Sequence, residues 1–222
     1  MLSKNIEPAI ASTKFHSLLA PFGVNPVINQ EIFTAIATAY SGADRHYHNL
    51  THILQVLQII NSMRPQAENP AALEFSAWFH DIIYDPKAKD NEEKSAEYAT
   101  NILKLIKIPS ATIDKVAKII LATKTHQAPD NDIDIYIFLD ADLSILGASS
   151  WEYNIYNRGI RKEYSWLSEA EYRWGRIQVL QKFIEGERIY LTDQIFDARE
   201  IKARQNIQTE IESLSAGNIK KI

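Results

Sequence analysis

The 222-residue chain contains no cysteine, so disulfides, thiolate metal ligands and cysteine nucleophiles are all excluded. A cysteine-free chain suits a reducing compartment, and a cytoplasmic location is the expectation. Glycine is scarce, at seven residues. No Asn-Gly dipeptide and no regular series of short strands punctuates the sequence, which argues against a β fold. No apolar run approaches the roughly 18 residues of a membrane span. The N-terminal stretch is broken by Glu7, Lys14 and His16, unlike the continuous apolar core of a signal peptide. Basic excess is also lacking: the formal net charge of −4 gives no general pull toward nucleic acid or an anionic membrane.

What is present reads as helix. Hydrophobic residues make up 45% of the chain and charged residues 23%, ordinary for a globular protein long enough for one substantial core. Asn25-Pro26 offers an N-cap followed by proline at the first helical position, opening a helix to about Tyr40, and Asn69-Pro70 repeats the device before "AALEFSAWFHDIIY". Asp90 and Glu93 suggest a capping start for "NEEKSAEYATNILKLIK", Ser110 follows Pro109 ahead of "ATIDKVAKIILAT", and Ser168 with Glu171 forms a capping box before "YRWGRIQVLQKFIEG". A last helix is expected from about Phe196 to Leu214, ending near Gly217. "IDIYIFLDADLSIL" passes locally for a strand, but its length and helical neighbours favour a helix. The fold class is all-α.

Polar residues stand where such helices bury carbon. His80 and Asp81 sit inside the apolar run "WFHDII", and an unpaired buried carboxylate is expensive to desolvate. His48 and His52 are four apart and share a face if one helix carries both. They are not a zincin pair, because Asn49 stands where HExxH requires glutamate. On a helical wheel Asp142 shares a face with Ile135, Phe138, Leu139, Ile145 and Leu146, whereas the face of Asp140, with Tyr136, Ser144 and Gly147, is mixed. Of these two carboxylates Asp142 is therefore expected to point inward. Taken singly, each group has an ordinary role: a carbonyl partner for His80, a cap or arginine partner for Asp81, a buried ion pair for Asp142. Together, His52, His80–Asp81 and Asp142 place two imidazoles and two carboxylates on three core-directed helices. One divalent cation offsets all of their burial costs at once. The N/O donor set suits Mn, Fe, Co, Ni or Zn, with Mg also allowed, and four ligands would leave open positions for water and substrate.

The order His … His-Asp … Asp on successive helices resembles the HD superfamily of metal-dependent phosphohydrolases. "THILQVL" is similar to the first-ligand helix, selecting His52 over His48; "WFHDIIYD" is similar to the doublet, and "LDADLSILGA" to the closing segment, whose ligand is Asp142. "RHYHNLTHI", "DNEEKSA", "ATKTH", "IRKEY" and "GRIQVL" resemble a bacterial subgroup of predicted HD phosphohydrolases, over about Tyr40 to Leu214. The resemblance implies an HD-domain-like helical bundle with additional C-terminal helices, a single domain over 1–222 with its HD core at about 26–150 and a helical extension at about 150–215.

It also implies the chemistry: hydrolysis of a phosphate ester of a nucleotide or another small phosphorylated metabolite by metal-activated water. Asp81 would take the proton of that water, and His126 would serve as proton donor or phosphate ligand. Asp140 and Thr123 are the candidates to orient the ligands. Arg45, His48, Asn91, Glu92, Arg161 and Arg176 are the candidate substrate contacts, the arginines as bidentate phosphate partners. With only His126 between the doublet and Asp142, one metal is expected rather than two. The alternatives are a two-metal phosphodiesterase and a non-catalytic metal-containing helical protein for ligand binding or regulation. No nucleic acid or membrane partner is expected. The C-terminal helix is open to a homodimer.

Overall fold

Three asparagines start helices by the same local device. The side-chain oxygens of Asn25, Asn49 and Asn69 accept hydrogen bonds from Val27, from Thr51 and His52, and from Ala72. Each satisfies backbone N–H groups that the first helical turn leaves without a partner. The computed structural model describes residues 6–128 and 131–216, which form ten α-helices and no strand. The all-α expectation is met. The described residues fall into two compact units, Met1–Ala141 and Asp142–Ile222.

The first unit contains α1 (Ile6–Leu19), α2 (Pro26–Ala39), α3 (Leu50–Met63), α4 (Pro70–Phe79), α5 (Asn91–Leu105), α6 (Ser110–Ala122) and most of α7 (Ile133–Asp142). Its centre is α4, which packs on α3, α5 and α6 and buries Ala72, Leu73 and Phe75 to Phe79. Trp78 meets Phe15 edge-on at 5.3 Å between ring centroids, and Phe33 lies 6.0 Å from Phe15. The start of α4 is held from afar. The fully buried Asp134 accepts from the backbone N–H of Glu68 and Asn69 and lies 3.5 Å from Lys115. Lys115 also pairs with Asp132 at 2.9 Å.

The second unit contains a 3₁₀ turn, Leu143–Gly147, and helices α8 (Ser150–Glu163), α9 (Glu169–Glu185) and α10 (Asp193–Ala216). Capping boxes start α8 at Ser149–Glu152 and α9 at Ser168–Glu171. The Leu143–Gly147 turn packs on α10. There a Cβ on Gly147 would fall 2.6 Å from the Cβ of Arg199, so only glycine permits the approach. Asn206 donates to the carbonyls of Leu146 and Ala148, and Arg176 pairs with Glu210 at 2.9 Å.

Several local expectations are corrected. Asp90 precedes α5 but makes no side-chain cap; it pairs with Lys94, and Glu93 with Lys124. Lysines within reach outcompeted the backbone for these carboxylates. α10 begins at Asp193 rather than near Phe196 and runs to Ala216, with Gly217 outside the described residues. The helix from Ile133 tightens to 3₁₀ geometry after Asp142.

The facing of the two aspartates also differs from the expectation. Asp140 is fully buried, whereas Asp142 is partly exposed. The α-helical wheel had placed Asp142 with Ile145 and Leu146, and those residues follow the change of pitch. α7 itself buries Asp134, Ile135 and Ile137 to Ala141, so it has no polar face by which a wheel could orient it.

Candidate metal centre

α4 ends at Phe79, and His80 is its C-cap, with its N–H still bonded to the Ser76 carbonyl. The doublet therefore stands where a helix stops, and Asp81 leaves the α4 axis beside the buried imidazole. His80 is 2% exposed. Its Nδ1 lies 3.2 Å from the Ala77 carbonyl, a partner that favours the ring proton on Nδ1 and Nε2 as the ligand atom. α3 supplies His52, in the first turn after the Asn49 cap and also buried.

These side chains converge. His52 Nε2 and His80 Nε2 are 3.2 Å apart, His80 Nε2 and Asp81 Oδ2 are 3.1 Å apart, and His52 Nε2 and Asp81 Oδ2 are 4.0 Å apart. Two donors each about 2.1 Å from one ion cannot be separated by more than about 4.2 Å, and all three separations meet that limit. Among the described residues, His52, His80 and Asp81 are the group whose ligand atoms could hold a metal ion. The donor set fits a divalent cation: two imidazole nitrogens 3.2 Å apart and a carboxylate whose charge the ion would offset.

Arg45 locks this arrangement from behind. Its guanidinium donates to the carbonyls of His48 (3.2 Å), Asp81 (2.7 Å) and Ile82 (3.1 Å) and lies over the rings of Tyr40 and Tyr84. Ser95 holds the outgoing strand of chain, accepting from Ile83 N–H and donating to its carbonyl. His48 precedes the Asn49 cap and so does not share a helix with His52, yet its Nε2 lies 4.0 Å from Asp81 Oδ2 and its ring 4.5 Å from that of Tyr84. Tyr47 packs on His52 at 4.9 Å. Neither tyrosine was singled out from the sequence, although both lie in the quoted stretches "RHYHNLTHI" and "WFHDIIYD".

The remaining expected site residues are placed as follows. Asn91 closes the loop after the doublet, accepting from Asp85 N–H and donating to its carbonyl, and Glu92 stands in the first turn of α5. Thr123 caps α6 with its hydroxyl donated to Ile120 of the same helix. His126 follows with a left-handed backbone, φ 51°, its N–H bonded to Ala122. Asp140 lies in α7, whose Phe138 ring stands edge-on to His80 at 5.4 Å. Asp142 closes α7, begins the second unit and is not a member of the three-residue group.

Arg161 and Arg176 belong to the second unit. Arg161 bonds the Tyr164 and Leu167 carbonyls and Glu169. Arg176, its side chain 9% exposed, is held by Glu210, Tyr156 and Asn157. Burial alone would lower the Arg176 pKa, but Tyr156 and Glu210 outweigh it and hold the group well above its usual value.

The HD domain family model matches residues 49–139. The match takes in His52, His80 and Asp81 and ends before Asp140 and Asp142. The HD superfamily is one of metal-dependent hydrolases, and the three-residue centre lies inside its matched segment. No curated protein and no solved structure matches the chain. Among the described residues no helix is long and apolar enough to cross a membrane.

Proposed function

We propose that the protein is a metal-dependent phosphohydrolase that cleaves a phosphate ester of a nucleotide or another small phosphorylated metabolite. One observation carries this reading: within the segment that the HD domain model matches, two buried imidazole Nε2 atoms and one carboxylate oxygen stand close enough to share an ion. His52, His80 and Asp81 would hold it. A divalent cation bound there would acidify a water molecule and polarise a phosphoryl oxygen.

The side chains divide the rest of the work. The Ala77 carbonyl favours the His80 tautomer that offers Nε2. Asp81, a fifth exposed, would accept the proton of the attacking water, and His48, its Nε2 4.0 Å from that carboxylate, is a candidate contact to the substrate. Arg45 keeps Asp81 in place through the backbone rather than by gripping phosphate. His126, Asn91 and Glu92 remain the candidate contacts to the phosphorylated substrate.

The test is a screen of nucleotides and sugar phosphates with the metal-supplemented protein. Phosphate release that requires the ion and disappears in Asp81→Asn supports the reading. A protein that binds the ion but releases phosphate from nothing in the panel is a non-catalytic metal protein.

A further inference from the structure

α9 is covered on one side only. Of its seventeen residues Tyr172 and Leu180 are buried, and they share a face with Arg176, which turns to Glu210 of α10. The opposite face carries Glu171, Trp174, Gly175, Gln178 and Lys182, at the i, i+3, i+4, i+7 and i+11 spacing of one helical stripe. Val179 lies at its edge. Trp174 is 71% exposed and Val179 47%.

Gly175 is unexplained by its own chain. It sits inside a helix, where glycine destabilises relative to alanine, yet a Cβ built there would meet no atom within 4 Å. Space is therefore not what requires glycine. A second backbone approaching from outside would require it.

We infer that this stripe is a homodimer surface on which α9 of a second copy packs antiparallel. The stripe is complementary to itself about a two-fold axis between Arg176 and Ile177. That axis sets Gly175 against Gln178 of the second copy and Glu171 against Lys182, each twice, and brings the two copies of Trp174 to the same side of the seam, as an isologous interface demands. Glu171 is held with one carboxylate oxygen on Ser168 N–H and hydroxyl, and that bonding keeps its pKa low and the group charged. Lys182 is exposed and makes no ion pair among the described residues. Opposite charges thus stand at both ends of the stripe, with an indole and a glycine between them. A single helix pair buries less than the roughly 1,200–2,000 Å² of a standard stable interface, so the dimer forms reversibly with rising concentration.

Sedimentation of the full chain from about 1 to 300 µM tests this. The wild type is expected to shift from monomer to dimer across that range. Trp174→Glu and Lys182→Glu should weaken association at least tenfold. Gly175→Leu should do the same while raising the thermal midpoint of the monomer, because leucine favours the helix and meets nothing in its own chain. Ile201→Glu, at a residue 75% exposed on α10, should leave association unchanged. A wild type that stays monomeric throughout, a dimer that survives Trp174→Glu and Gly175→Leu, or equal loss in Ile201→Glu would overturn the inference. Metal content and phosphate release are read separately and do not bear on it.

Discussion

The Nε2 atoms of His52 and His80 face each other at 3.2 Å inside the helical core. The Ala77 carbonyl, 3.2 Å from His80 Nδ1, favours the tautomer in which His80 Nε2 offers a lone pair. A shared cation would accept a lone pair from each ring and offset the adjacent Asp81 charge.

Metal removal should therefore lower stability. An ion at a hundred times its Kd stabilises by about 2.7 kcal/mol, equivalent to a rise in Tm of roughly 5–10 °C for a chain of this size. Calorimetry before and after chelation checks this, with readdition of the ion restoring the shift.

Arg45→Ala should act on the centre without touching it. Three carbonyls, including that of Asp81, lose their donor. The expected cost is about 2–4 kcal/mol of stability, together with a roughly 10–100-fold loss of metal affinity as the carboxylate loses its orientation. Denaturant titration and metal-binding calorimetry on the same variant separate the two effects. Arg45→Lys should rescue little, since one ammonium cannot span the three acceptors.

Asp134→Ala removes a buried carboxylate that caps Glu68 and Asn69 N–H groups and leaves Lys115 with Asp132 alone. Urea unfolding should show a loss of about 3 kcal/mol. The distances within the His52, His80 and Asp81 group do not depend on this contact, so metal affinity should stay within a few-fold.

The second unit should be sensitive to alkali. Burial raises the pKa of Tyr153, Tyr156 and Tyr172, the last to about 12, and the Glu210 charge raises Tyr153 further. The unfolded chain ionises these phenols near pH 10. Stability from their burial is thus fully present below pH 10 and lost as pH rises toward 12 and beyond. In a spectrophotometric titration, Tyr153, Tyr156 and Tyr172 should ionise above the ordinary phenol range, and Phe substitutions at the three positions should remove that late absorbance.

The helix starts were legible because they are local. Asn25, Asn69 and the Ser168–Glu171 box act over two or three residues, and the sequence contains both partners. The doublet was legible for a different reason, since a His–Asp pair within "WFHDII" needs compensation wherever the chain runs. What failed was orientation. The facing of Asp140 and Asp142 turned on a helix buried nearly all round, which leaves hydrophobic spacing no polar side to mark. Arg45 was found by its position beside the histidines, but its use as a backbone clamp spans 36 residues of sequence and belongs to tertiary packing.

Elemental analysis of the purified protein, after supplementation with Mn, Fe, Co, Ni and Zn in turn, tests the shared-ion centre most directly. The expected result is about one divalent ion per chain, retained by the wild type and lost by His52→Ala, His80→Ala and Asp81→Ala variants that keep their helical circular dichroism. A wild type that holds none of these ions, or folded variants that hold as much as the wild type, would contradict it.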